Sequence, residues 1–434
     1  MRRPLIVLVH PGGFWKGEVF AIADRLGYDL FVIDDIHAAA RTPRQNAEAF
    51  SADFSAEGFL EAVISELARR RITPDGIVTF FELAVEHAAE LSNYFHRIGN
   101  SREAATRARD KYEMRRALAR GDCSQVEHFK VVYEESQLVD FFEKHGEKPI
   151  ILKPRDLGAS TGVVRITSKD QISPAWLEAK GATGAFSKAY GQVAVRLGFL
   201  VEEMIEMGAR EFNVDMLVVE GTPFVLGVAE KADLMDGPHF REDAYVFPQF
   251  SLNSFQLKEL KLEARNAVRS LGIESGAVHL EAKVTAASKV VKPQIIEVAA
   301  RCAGDLEMPA LQLHCGLDLR ELVLRQSIGR LDECYLERIA ALDSGLGLIG
   351  PVAVQVKYAP IPGTIVSGPD LPKERWSEFG VERVEIAAHV GDKIHLPENE
   401  YLAAVIARGE SPQDALQKVG AAIAAMHLKV EPFV

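Results

Sequence analysis

Short apolar runs alternate with amphipathic stretches through the first hundred residues. Leu5–Val9, Leu30–Ile33 and Gly76–Phe81 are strand candidates, and Glu18–Leu26 and Phe59–Arg70 carry apolar residues at helical spacing between them. Strand, helix and strand in this rhythm predict a parallel sheet covered by helices. Such sheets bind ligands at the carboxyl ends of their strands, and Gly12 and Gly13 follow the first one. No G-x-G-x-x-G fingerprint stands there, so a dinucleotide site has little support.

The pattern changes after residue 105. Residues 106–122 read as one strongly basic helix. Strands are expected at Phe129–Tyr133, Pro149–Lys153 and Gly162–Ile166, with a helix at Ser136–Glu143. Leu200–Val201 runs into an acidic turn, and Phe212–Val219 and Thr222–Ala229 read as two strands joined at Glu220-Gly221. Leu257–Leu271 is a helix that Gly272 ends, and two strands carrying Glu281 and Glu297 follow. From about residue 330 the runs shorten to strand candidates at Val352–Tyr358, Gly363–Ser367, Val381–Val390 and Asp392–His395. A last helix covers 411–426, with Ser411 as N-cap and Pro412 in its first turn.

A chain of 434 residues is too long for one core, so several domains are expected. Its 50 basic and 62 acidic side chains give a net charge of −12, which argues against a nucleic acid or anionic membrane as partner. No apolar run has the length of a membrane span, and Leu5–Val9 is too short for a signal-peptide core. Cys123, Cys302, Cys315 and Cys334 form no C-x-x-C pair, so a reducing, cytoplasmic setting is expected.

Three stretches carry chemistry. In Lys153-Pro-Arg-Asp-Leu-Gly158-Ala-Ser160-Thr-Gly162, a strand ends on a lysine and a glycine loop follows, whose backbone N–H groups could approach phosphate oxygens. A β-hairpin with a polar turn would look the same. Glu202-Glu203-Met204-Ile205, with Glu211 beyond, suits an interdomain hinge or an exposed acidic turn. Glu281 and Glu297 sit on adjacent strands, and Arg301 follows by four residues. Two carboxylates so placed can hold Mg²⁺ against nucleotide phosphates, and an arginine can grip a phosphate or carboxylate through two parallel hydrogen bonds. Alternation puts His279, Glu281 and Lys283 on one face, and Glu297 with Ile295 on one face with Ile296 opposite. The apolar neighbours of Glu297 argue for a buried carboxylate that needs a cation or donors. There is no H-x-x-x-H for zinc catalysis and no G-x-S-x-G elbow.

Taken in order, the basic helix with Lys111, Lys153 with its glycine loop, the acidic hinge and the Glu-x-x-x-Arg pair resemble the ATP-grasp superfamily. The run Glu297-Val-Ala-Ala-Arg301-Cys-Ala-Gly304 resembles its L-amino acid ligase branch. The resemblance implies an α/β and α+β chain with an ATP-grasp fold. A Rossmann-like N-terminal domain would span 1–105 and an ATP-grasp core 106–330, with a lid over about 125–200 and a nucleotide and metal part over about 201–330. A C-terminal α+β domain would span 331–434. It also implies an ATP-dependent carboxylate–amine ligase that works through an acyl phosphate on small-molecule carboxylates and amines, with ATP and one or two Mg²⁺ as cofactors. A carboxylase, a purine-pathway enzyme and a nucleotide-binding regulator with a degenerate site are the alternatives. A homodimer is common among similar enzymes.

Position by position, the resemblance implies phosphate contacts from Lys111, Lys153 and Lys231, and a lid loop of Gly158, Ser160 and Gly162. Glu202, Glu203, Met204 and Ile205 would bracket adenine, and Glu211 would face the ribose. Glu281 and Glu297 would hold the metal. Arg301, with Lys153, would stabilise the transferred phosphoryl group, and Gly304 would lie beside the substrate carboxylate. His239, Glu242 and His279 are candidate substrate residues. Many members carry Asn two residues after the second metal glutamate; here Ala299 stands instead, which leaves the ligands of a second ion open.

Overall fold

The structure is a computed structural model. It describes residues 2–433 apart from 13–16, 36–46, 159, 191–197, 234–236, 238–239, 241–242, 286–292, 305 and 396–400. Strands β1 (Leu5–Val9), β2 (Asp29–Asp35), β3 (Glu48–Ala52) and β4 (Gly76–Val78) form a sheet in the order β3-β2-β1-β4. All three pairings are parallel, as the strand–helix rhythm predicts. β3 escapes the sequence pattern because it is a half-exposed edge strand, Glu-Ala-Phe-Ser-Ala, with one buried position.

Strands β5 (Phe129–Val132), β6 (Ile150–Pro154), β7 (Val164–Ile166) and β8 (Phe199–Glu203) make a small antiparallel sheet ordered β5-β8-β6-β7. The helices Glu135–Lys144 and Ile172–Tyr190 cover it, with Leu138, Phe142 and Trp176 in the shared core. The second of these has no counterpart in the sequence reading. Its hydrophobic face is broken by Gly181 and Gly184, which weakens the helical signal.

The remaining strands are β9 (Arg210–Val219), β10 (Thr222–Lys231), β11 (Ala244–Phe247), β12 (Gly276–Val284), β13 (Gln294–Ala299), β14 (Val352–Tyr358), β15 (Gly363–Asp370), β16 (Val381–Ile386), β17 (Lys393–Ile394), β18 (Tyr401–Arg408) and β19 (His427–Glu431). Eight of them form one antiparallel sheet, β13-β12-β9-β10-β11-β14-β18-β16, which runs through position 330 without a break. β15, β17 and β19 make a small separate sheet. β16 stops at Ile386, short of the expected Val390.

The helix Ser254–Leu271 packs against one face of the large sheet. Asn253 and Gln256 cap its start reciprocally, and Gly272 at φ 76° ends it. Leu260, Ala264 and Val268 meet Val214, Met216, Val278 and Leu280 there, all without solvent exposure. Each larger side chain contributes about 1.5–3 kcal/mol by leaving water. Burial of that face fixes which side chains of β9 and β12 turn the other way.

The basic stretch is two helices, Arg102–Arg109 and Lys111–Arg120, not one. Asp110 breaks it in an extended conformation (φ −89°, ψ 106°), and its carboxylate accepts from Tyr112 N and from Arg155. The break makes Lys111 the first residue of a new helix, and Lys111 is buried.

Candidate active site

The small antiparallel sheet β5–β8, the start of the helix Lys111–Arg120 and the open face of β9, β10, β12 and β13 enclose a cavity of about 210 Å³. Lys111, Lys153, Gly158, Ser160, Glu202, Glu203, Met204, Ile205, Glu211, Lys231, His279, Glu281, Glu297, Arg301 and Gly304 all line it. Residues far apart in sequence thus converge on one space.

Glu281 and Glu297 stand directly opposite each other in the β12–β13 pairing. The expected face assignment on β13 needs correcting. The register skips one residue after Glu281, so Ala282 pairs with Ile295 and Ile296 is the extra residue of a β-bulge. Ile295 therefore turns into the core with Ala282, while Ile296 and Glu297 both line the cavity. Strict alternation had placed them the other way round.

Each of these carboxylates is met by one lysine. Lys111 Nζ is 3.0 Å from Glu297 Oε1 and donates to Leu157 O at 2.6 Å. Lys231 Nζ lies 3.4 Å from Glu281 Oε1 and 2.6 Å from Glu211 Oε1. Burial opposes the charge on Glu281, but Lys231 and His279 outweigh it and hold the carboxyl well below the usual range. Burial and the neighbouring Glu281 push Glu211 up. Two opposed carboxylates are a hard-oxygen donor set that suits Mg²⁺.

Lys153 sits at the end of β6 with its Nζ 2.5 Å from Glu202 Oε1. Arg115 reaches the same carboxylate through Nε at 2.9 Å and Nη2 at 3.2 Å. Arg115 also donates to the carbonyls of Ile295 and Ile296, both at 2.9 Å. It thereby ties the hinge strand to the bulge that aims Glu297. Burial works against charge on Glu202, yet the two cations hold its carboxyl at about 2. Burial pushes Lys153 down.

Arg301 Nε donates to Glu82 Oε2 at 2.5 Å and Nη1 to Cys302 O at 2.8 Å. Glu82 also takes a bond from Arg109 at 3.2 Å, and these arginines overcome burial to hold it at about 2. His279 Nδ1 is 3.0 Å from Asp215 Oδ1, with its Nε2 3.7 Å from Glu281 Oε1 and Glu307 4.0 Å away. Burial opposes a charged ring, but Glu307 and Asp215 raise its pKa well above the ordinary value. Ala299 lies opposite His279 in the strand pairing and also lines the cavity.

Gly162 (φ 69°) does not line the cavity: a side chain there would press on Pro154 and the Ala179 carbonyl, so it shapes the β6–β7 turn. Ser160 adopts φ 52° in the same turn. His239 and Glu242 lie outside the described residues. Sequence reasoning missed Arg115, Glu82 and Asp215. Glu82 had a usable signal, since it follows β4 directly at the carboxyl edge of a parallel sheet. Asp215 shares the alternation of Glu211 and Asn213 along β9.

Residues 146–309, which carry most of the cavity lining, match the ATP-grasp domain family. The chain is similar to alanine–anticapsin ligase of Bacillus subtilis (strain 168), 26% identical over 263 residues, which is 58% of this chain and 53% of the relative. The chain thus spans about half the length of the curated relatives it matches. The fold is that of the L-amino acid ligase from Bacillus licheniformis, with a TM-score of 0.80, 20% identity and coverage of 99% of this chain and 100% of that one. Carboxyaminoimidazole ribonucleotide synthase from Aspergillus clavatus, solved with ATP, gives a TM-score of 0.70 at 16% identity, covering 98% and 100%. Among the described residues no helix is long and apolar enough to cross a membrane.

Proposed function

We propose that this chain is an ADP-forming carboxylate–amine ligase acting on amino acids. The observation that carries the reading is Glu281 facing Glu297 across one strand pair, with Lys111, Lys153, Lys231 and Arg301 lining the same cavity. Glu281 and Glu297 would hold Mg²⁺, which when bound neutralises phosphate charge. Lys111, Lys153 and Arg301 would stabilise the transferring phosphoryl group as a substrate carboxylate oxygen attacks it in line and the bond to ADP breaks. The amine nitrogen would then attack the acyl carbon of the resulting acyl phosphate. The C–N bond forms, phosphate leaves, and the amine gives up a proton. The turn from Gly158 to Gly162 would shut water out of the cavity during both steps.

Met204 and Ile205 would bracket adenine, and the small sheet β5–β8 would act as the lid of a core that starts near residue 106. Three buried cysteines among four free ones support a reducing compartment. The test is a phosphate-release screen of paired amino acids with mass analysis of the products. ADP release that needs both a carboxylate and an amine, with a dipeptide mass, is the expected result. ADP formed with bicarbonate alone would move the chain to the carboxylases.

A further inference from the structure

Where β8 ends beside the start of β5, three metal-ligating side chains meet. His128 stands one residue before β5, His145 caps the end of the helix Glu135–Lys144, and Glu203 ends β8. One ligand atom from each lies within 4.8 Å of the others. His145 Nε2 is 3.8 Å from Glu203 Oε2, too far for a hydrogen bond. It is close to the separation of about 3.3 Å that two donors keep around a tetrahedral ion with bonds of about 2.0–2.1 Å.

The backbone holds this arrangement in place. Glu203 N donates to His128 O at 3.0 Å, and Glu203 Oε1 accepts from His128 N at 3.2 Å. That leaves Oε2 turned toward His145. The His145 ring stacks on Phe141 one turn back (5.9 Å, 21°) and meets the His128 ring edge-on (5.4 Å, 64°). A cation here would also lie at the negative end of the helix Glu135–Lys144.

We infer that His128, His145 and Glu203 bind one transition-metal ion of the zinc class, with water completing its shell. Two imidazoles and one carboxylate select zinc, cobalt, nickel or copper over Mg²⁺, whereas Glu281 and Glu297 offer only oxygens. The two metal preferences are therefore separable. Glu203 lines the nucleotide cavity as well, so an ion on its Oε2 would restrain the hinge strand. The inference does not rest on the ligase reading.

The test is titration of the purified full chain with Co²⁺ in excess Mg²⁺, followed by visible absorption and calorimetry. Wild type should take up one Co²⁺ with the visible bands of an imidazole-ligated ion. Loss of an outer partner already weakens metal sites by about 10- to 100-fold, so His128→Ala and His145→Ala should each weaken binding at least about tenfold and remove the bands. Circular dichroism and the Mg-ATP thermal shift should be unchanged in both. Should His145→Ala lose its fold, exposed His128→Ala carries the test. No Co²⁺ uptake by wild type, or uptake that survives both substitutions, overturns the site. Either result leaves amide formation untouched, so the two readings fail separately.

Discussion

Two carboxylate centres face the same cavity and differ in how completely they are satisfied. The Glu202 side chain is 6% exposed and is held by both Arg115 and Lys153. Glu281 and Glu297 are 21% and 22% exposed; Lys111 meets Glu297, and Lys231 and His279 meet Glu281. The first centre is a closed ion cluster that joins a helix, the hinge strand and the β13 carbonyls. The second keeps oxygen surface open to the cavity. Burial with full pairing makes a joint, and partial burial leaves carboxylate oxygen facing the cavity.

The sharpest way to break this comparison is to remove one partner from each centre. Glu202→Ala strands two buried cations and should destabilise the fold by about 3–5 kcal/mol, read as a lower urea midpoint. Glu297→Gln keeps the shape and should change stability by less than about 1 kcal/mol, while amide-forming activity falls by at least about 100-fold. Equal stability losses in the two variants would erase the distinction between them.

The acid limb sharpens the same contrast. Glu202 and Glu82 both sit at about 2, below the ordinary 4.5. A depressed carboxyl contributes stability that is complete above its unfolded pKa and is lost as pH falls through the folded one. Wild-type stability should therefore decline from about pH 4.5 toward 2, and Glu202→Gln should flatten part of that decline. Urea midpoints measured from about pH 6 down to about pH 3 check it; an unchanged slope in the variant refutes the assignment. Glu82→Gln is smaller in stability and more specific in effect, because it loosens Arg301. It should raise KM more than it lowers Tm. At the low end, Lys144→Ala removes an exposed helix pair with Asp140 and should cost no more than about 0.5 kcal/mol. That value is the baseline against which the buried centres are judged.

Much of the fold was legible because period and punctuation agree. β1 is an unbroken apolar run and β2, β9, β10 and β14 are built around apolar stretches, and Gly272 and Ser411 mark helix ends through a left-handed cap and a side-chain cap. The helices Glu307–Cys315 and Leu319–Ser327 were not legible. They are buried on nearly every side, and polar residues such as Glu307, Arg320 and Gln326 are buried along with the apolar ones, so no apolar stripe stands out against a polar face.

The chain's own order of residues determined which chemical groups are present and in what sequence: a lysine and glycine turn, an acidic stretch, and two glutamates with an arginine four residues on. Tertiary structure alone decided which of the acids are joints and which are open. That outcome depends on a one-residue bulge at Ile296, a helix break at Asp110 and a clamp from Glu82, 219 residues upstream of Arg301. A pairing that skips one position reverses the faces of every residue beyond it, and no local pattern records where the skip falls.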